Sequence, residues 1–315
     1  MSAKLTKLTN RISNSNYEEK NETKLKIAKW ISTITNAPII CIPAFLVLCW
    51  VFLADDPGKF ILVEIICLIF TSVASMAIIL LWAKKLNTDK DISNREDRPI
   101  PLIVGSCCYF IGFIILNLVN APPIISYLLL CYTCNTLIVM LISTKWKISI
   151  HTTGLIGPAS AMILVLGKWG ILLGLLYPIV IWSRVTLKKH TMAQAFVGGL
   201  NAYFLTIGEI FLFIWLFNLP TEHVLPLIEV IWIAIALVII PVILAIAGEL
   251  KNRGVSLTKT RTLIIFSGLI TYIIFILFST NDSLISLVLS TIVSILITYY
   301  AGINYPWYRA IKEDN

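Results

Sequence analysis

Charge is scarce in this sequence. Asp, Glu, Lys and Arg make up 13% of its 315 residues against 58% hydrophobic ones, and the mean hydropathy is +0.88. A soluble domain covers its surface with roughly twice that share of charge, so the composition places the chain in a bilayer. Acids are the rarer sign, 17 against 25 Lys and Arg, and nowhere do His and carboxylate residues fall at a spacing that demands a metal. Cysteine is absent from every connection: Cys41, Cys49, Cys67, Cys107, Cys108, Cys131 and Cys134 all lie in apolar runs. That excludes a loop disulfide framework, and Cys131-Tyr-Thr-Cys134 reads as interhelical packing rather than a redox or zinc pair. Internal repeats, low-complexity tracts and groove-reading motifs are also lacking. The formal charge of +8 therefore signals topology and attraction to anionic lipid, with no nucleic-acid partner.

What is present is a series of long apolar runs. Their continuity, without period-two alternation, excludes a spanning barrel and predicts helices. The expected fold class is all-α, a polytopic membrane bundle of about ten spans: 31–53, 60–83, 99–119, 122–142, 152–167, 169–182, 191–217, 225–248, 263–279 and 284–303. All Lys and Arg residues except Lys59 and Lys168 then fall on the side of the N-terminus, which puts both termini in the cytosol. The organisation expected is a polar cytosolic tail over 1–29, a first span and loop over 30–59, a core over 60–217 and a further three-helix region with a C-terminal tail over 218–315. Residues 31–53 exceed a signal peptide and carry no small-residue cleavage pattern.

Three polar connections share the cytosolic face in this arrangement: 84–98, 143–151 and 183–190. Taken singly, each is an ordinary solvated loop, and Ser149 an ordinary helix cap. Taken together they bring two of the chain's three histidines, His151 and His190, to one boundary with Ser149 and several guanidinium groups.

The stretch Ser183-Arg184, five residues, His190, three residues, Gln194, followed by Gly198 and Gly199, resembles the third motif (SR-x5-H-x3-D) of the type 2 phosphatidic acid phosphatase superfamily. Ser149-Ile150-His151 is similar to part of its second motif, PSGH, and Arg98-Pro99 to the end of its first, K-x6-RP. The resemblance covers about 60–217. It departs from the family pattern at Asp91, where the first lysine would stand and Lys90 is one position early; at Ile148 and Ile150, in place of proline and glycine; and at Gln194, in place of aspartate, as in dolichyl-diphosphatase-like members.

The resemblance implies a catalytic set of His190, His151 and Gln194 and a phosphate-binding set of Arg98, Arg184, Ser149, Lys90, Ser183 and Lys188, with no metal and no cofactor. His190 would attack phosphorus to form a phosphohistidine, His151 would protonate the leaving oxygen and later activate water, and the Gln194 carbonyl would hold the other His190 ring nitrogen. The substrate expected is a lipid phosphate or isoprenyl (di)phosphate in the bilayer, in a multi-pass protein of the plasma membrane whose site faces the cytosol. Two other readings remain open. One is a non-catalytic lipid-headgroup binder or carrier, for which Glu209 inside a span is the suggestive residue. The other is a UbiA-type Mg-dependent prenyltransferase, from a faint likeness of Asn87-Thr-Asp89-Lys-Asp91 and Asp97 to its aspartate-rich loop.

Overall fold

The computed structural model describes residues 21–87, 94–174, 176–226 and 230, all in helices and short connections with no strand among them. The elements are α1 (Asn21–Ile34), α2 (Ala37–Leu53), α3 (Pro57–Cys67), a π-helical segment (Leu68–Val73), α4 (Ala74–Leu86), α5 (Pro99–Leu118), α6 (Pro123–Ser143), α7 (Ile150–Leu166), α8 (Ile171–Gly174), α9 (Leu176–Thr186) and α10 (Met192–Phe217). Four helical stretches are long and apolar enough to cross a membrane: Pro57–Lys85, Arg95–Leu118, Pro123–Ser143 and Met192–Phe217. A fifth is reached if the pair α1 and α2, bent by 51°, counts as one. The chain is a membrane-embedded helical protein.

Local chemistry explains the ends. Pro57, Pro99 and Pro123 sit in the first turns of their helices, where no intrahelical N–H is required. Asp56 caps α3 by accepting from the Lys59 N–H at 3.0 Å. Asn87, Asn120 and Asn218 take the left-handed conformation where helices stop. The outer surface is apolar, with Trp50, Leu81, Leu118 and Trp215 each more than two-thirds exposed. In water that would be a liability; in lipid it is the solvated face.

Small residues set the closest approaches. A Cβ on Gly198 of α10 would stand 2.5 Å from Thr152 Oγ1 and 2.7 Å from the Ser149 carbonyl of α7. One on Gly154 of α7 would stand 2.3 Å from Ala37 Cβ of α2. The bundle around α7 is therefore held at distances that only glycine permits, and α7 carries the second-motif residues.

Two expectations are corrected. The helix expected from 169 starts later: a 3-10 turn (Gly167–Trp169) stands at its beginning, α8 and α9 follow, and Leu175 between them lies outside the described residues. A Cβ on Gly170 would meet the backbone of Met162 and Ile163 at 2.2–2.3 Å, so the turn before α8 is fitted against the end of α7. Residues 21–29, expected as the end of a polar tail, form most of α1, because Leu25, Ile27, Ala28 and Trp30 give that stretch an apolar content the tail lacks. Residues 1–20 and the three spans expected at 225–248, 263–279 and 284–303, apart from Leu225, Pro226 and Val230, lie outside the described residues.

Candidate functional site

The short connection between α6 and α7 organises the site through its backbone. Its carbonyls face three cationic or polar side chains from the other two connections. Lys145 O accepts from Arg95 at 2.9 Å, Ile148 O accepts from Arg98 at 2.9 Å, and Lys147 O lies 3.3 Å from His190 Nδ1. The Ser149 N–H adds a bond to the Gln194 carbonyl at 3.2 Å. The Trp82 indole ties α4 to Asp97 O at 2.9 Å, so the turn that carries Arg95 and Arg98 is anchored at both ends. Three segments more than 40 residues apart in sequence are thereby locked into one cluster.

His190 follows the end of α9, where Lys188 takes φ +54° and the Lys189 N–H bonds back to Arg184 O at 3.1 Å. This turn points the chain into the capping box that starts α10. A carbonyl can only accept, so the contact with Lys147 O places the imidazole hydrogen on Nδ1 and leaves the Nε2 lone pair available. Burial, then the positive charges of Arg184, Arg98, Lys147 and His151 in turn, push the His190 pKa down to about 3. At neutral pH the ring is therefore uncharged, with the positive charges of Arg184, Arg98 and Lys147 acting on it.

Among the described residues Arg184 and Arg98 are the two largest fully buried side chains, 1% and 2% exposed. Buried guanidinium groups require hydrogen-bond partners to offset lost hydration. Arg98 meets the Ile148 carbonyl; Arg184 meets Ser32 Oγ of α1 at 2.6 Å. Beside it, Ser183 Oγ donates to Ala28 O of α1 at 2.6 Å. The Ser-Arg pair of the third motif thus docks α1 against the end of α9.

Other residues take structural roles. Ser149 Oγ caps α7, accepting from the Thr152 N–H at 3.5 Å. Gln194 Oε1 accepts from the Thr191 N–H at 3.1 Å while Thr191 Oγ1 accepts from the Gln194 N–H at 3.2 Å, a reciprocal capping box. The contact expected between Gln194 and His190 is replaced here by the Lys147 carbonyl. A glutamine at the third position of the helix reaches its own N-cap backbone more readily than a side chain preceding the helix. Lys188 is exposed beside the cluster, and Lys90 lies outside the described residues.

A cavity of about 140 Å³ opens among α2, α4, α5, α6 and α7, with Ala202 of α10 also lining it. Arg98 and His151 line it, and Ser149, Arg184 and His190 do not, so the candidate side chains gathered at this boundary divide into two groups. Arg98 and His151 belong to both: they border the cavity, and their charge acts on His190. Sequence reasoning missed Ser32, Ala28 and the Lys147 carbonyl. It also missed the polar cavity residues Tyr109, Tyr132 and Asn135, which stand inside apolar runs. Among the described residues no group of three or more His, Cys, Asp or Glu side chains is arranged to hold a metal ion. Comparison of the chain with protein-family models, curated proteins and solved structures finds no match.

Proposed function

We propose that the protein is an integral membrane lipid phosphate or isoprenyl (di)phosphate phosphatase that works through a phosphohistidine, with about ten spans and the loop cluster on the cytosolic side of the plasma membrane. The observation that carries this reading is the neutral imidazole of His190, its hydrogen on Nδ1, set among Arg98, Arg184, Lys147 and His151. A phosphoryl group needs that environment: cations to spread charge over its equatorial oxygens and an unprotonated nitrogen to attack. His190 Nε2 forms the bond to phosphorus as the bond to the lipid oxygen breaks, and that oxygen takes a proton from His151. His151, now neutral, removes a proton from water; the hydroxide attacks phosphorus, the P–N bond breaks, and inorganic phosphate leaves. The Lys147 carbonyl stabilises the developing imidazolium, the task a carboxylate or amide performs in the family pattern. Arg98 and His151 reach the cavity among the helices, so the phosphate can be held while the lipid stays in the bundle and bilayer.

The test is release of inorganic phosphate by purified full-length protein, in EDTA, from isoprenyl phosphates, isoprenyl diphosphates and phosphatidic acid. Metal-independent release by the wild type, lost in His190→Ala, is expected. Absence of release from every substrate overturns the reading in favour of the headgroup binder. That alternative draws on one observation: Ser149, Ser183 and Gln194 spend their side chains on caps and on α1.

A further inference from the structure

We propose that α1 is an interfacial helix that binds the anionic surface of the bilayer, and that this contact steadies the Ser183–Arg184 pair to which α1 is docked. The partner is a lipid surface of negative charge, and neither the partner nor the contact depends on the phosphatase reading.

α1 divides lengthwise into three stripes, each spaced by three or four residues as one side of a helix is. Ala28 and Ser32 form the inner stripe. Both are buried, and the Ala28 carbonyl and the Ser32 hydroxyl accept from Ser183 Oγ and Arg184 at 2.6 Å each. Ile27, Trp30 and Ile34 form the second stripe, which is apolar and open: they are 49%, 64% and 38% exposed. Lys26 and Lys29, both exposed, form the third. Lys26 pairs with Glu22 at 2.7 Å, but an exposed pair of this kind is worth too little to withhold the ammonium from a headgroup phosphate.

The next helix fixes the depth. α2 begins two residues after α1 and is bent from it by 51°. Its 17 residues are all uncharged, and at 1.5 Å each they cover about 26 Å, close to the ~30 Å hydrocarbon thickness of a bilayer. α1 cannot continue into hydrocarbon, because Glu22, Lys24, Lys26 and Lys29 would be carried in with it. The bend therefore turns α1 along the boundary, where one flank meets acyl chains and the other meets headgroups. Trp30 is the aromatic residue favoured at that depth. The sign of the charge names the lipid. Residues 1–20 add Lys4, Lys7, Arg11 and Lys20 to the three lysines of α1, against only Glu18, Glu19 and Glu22, and a basic cluster beside a span attracts anionic headgroups. A helix held to the surface on its outer stripes and to Ser183 and Arg184 on its inner one passes that restraint to the end of α9.

The experiment compares backbone hydrogen exchange of the full-length protein in nanodiscs of phosphatidylcholine alone and of phosphatidylcholine mixed with phosphatidylglycerol. Peptides covering 21–34 and 183–190 are both expected to exchange more slowly in the anionic discs, by on the order of tenfold, and high salt to remove the difference. Lys26→Gln combined with Lys29→Gln, at exposed positions, should largely remove it as well, while Lys26→Arg with Lys29→Arg keeps it. Equal exchange of 21–34 in the two lipids, or a difference undiminished in the glutamine variant, overturns the proposal. α1 would then be held by protein contacts or by its apolar stripe alone. A response confined to 21–34, with 183–190 unmoved, overturns the link to Ser183 and Arg184.

Discussion

His190 shows how much one side chain depends on groups that a sequence does not display. Its position in the SR-x5-H pattern, and the positions of Arg98, Arg184 and His151, were legible because arginine and histidine are rare in apolar chains and expensive to bury. The Lys147 carbonyl that fixes its tautomer was not, since every residue has a carbonyl and only the turn decides where it faces. Gln194 stood out by its spacing from His190, but its side chain obeys the local geometry of a helix N-terminus and closes a capping box. The pH dependence follows from the depressed pKa. The unfolded chain carries His190 near its ordinary 6.5 while the folded chain holds it near 3, so the unfolded state binds more protons between those values. His190 thus contributes nothing to pH dependence above about 6.5 and costs stability progressively as pH falls from there towards 3. Thermal unfolding of the wild type and His190→Gln is expected to diverge across that window, with the variant losing less stability on acidification. Parallel curves would contradict the buried, cation-flanked imidazole.

Helices reproduce the apolar runs wherever length and end signals agree. The stretches expected at 60–83, 99–119, 122–142 and 191–217 correspond to Pro57–Lys85, Arg95–Leu118, Pro123–Ser143 and Met192–Phe217. The run at 169–182 begins its helix late because Gly170 stands in a turn fitted against the end of α7. α1 was missed because its amphiphilic sequence reads as a tail until its partner is known: Ser183 and Arg184 hold its Ala28 carbonyl and Ser32 hydroxyl. The α7–α10 contact gives the clearest test at this scale. Gly198→Ala drives a Cβ into Thr152 Oγ1 and the Ser149 carbonyl, which must shift the turn that holds Arg98 and His190. Its expected cost is about 1–3 kcal/mol, the usual range for overpacking, with a marked loss of turnover. Gly208→Ala on the same helix has nothing within 4 Å of its new Cβ and is expected to be neutral or mildly stabilising. Equal unfolding temperatures and rates in the two variants would show that the close approach does not position the site.

At the scale of the whole molecule, composition and charge placement carry most of the information. The apolar exterior agrees with a hydropathy of +0.88, and the buried interior holds Arg98 and Arg184. A soluble protein has the opposite arrangement. Three short motifs name candidate residues without saying which side chains are already occupied, so the sequence alone does not show which of them are available to a ligand. The proposed topology has a direct consequence. Lys188→Cys and Glu222→Cys, at opposite ends of α10, should be labelled from opposite sides of the membrane by an impermeant thiol reagent, since α10 is 26 residues long. Labelling of both from one side would contradict the spanning orientation.

The central claim is that His190 Nε2 becomes covalently attached to phosphorus. The most direct measurement is to quench the purified protein during turnover of a lipid radiolabelled at phosphorus and to follow the label on the chain. The account predicts label on the wild type that survives alkali and is lost in mild acid, as expected of a P–N bond, maps to the peptide containing His190, and is absent from His190→Ala. Lipid phosphate hydrolysis with no such label, or label that persists in His190→Ala, would contradict it.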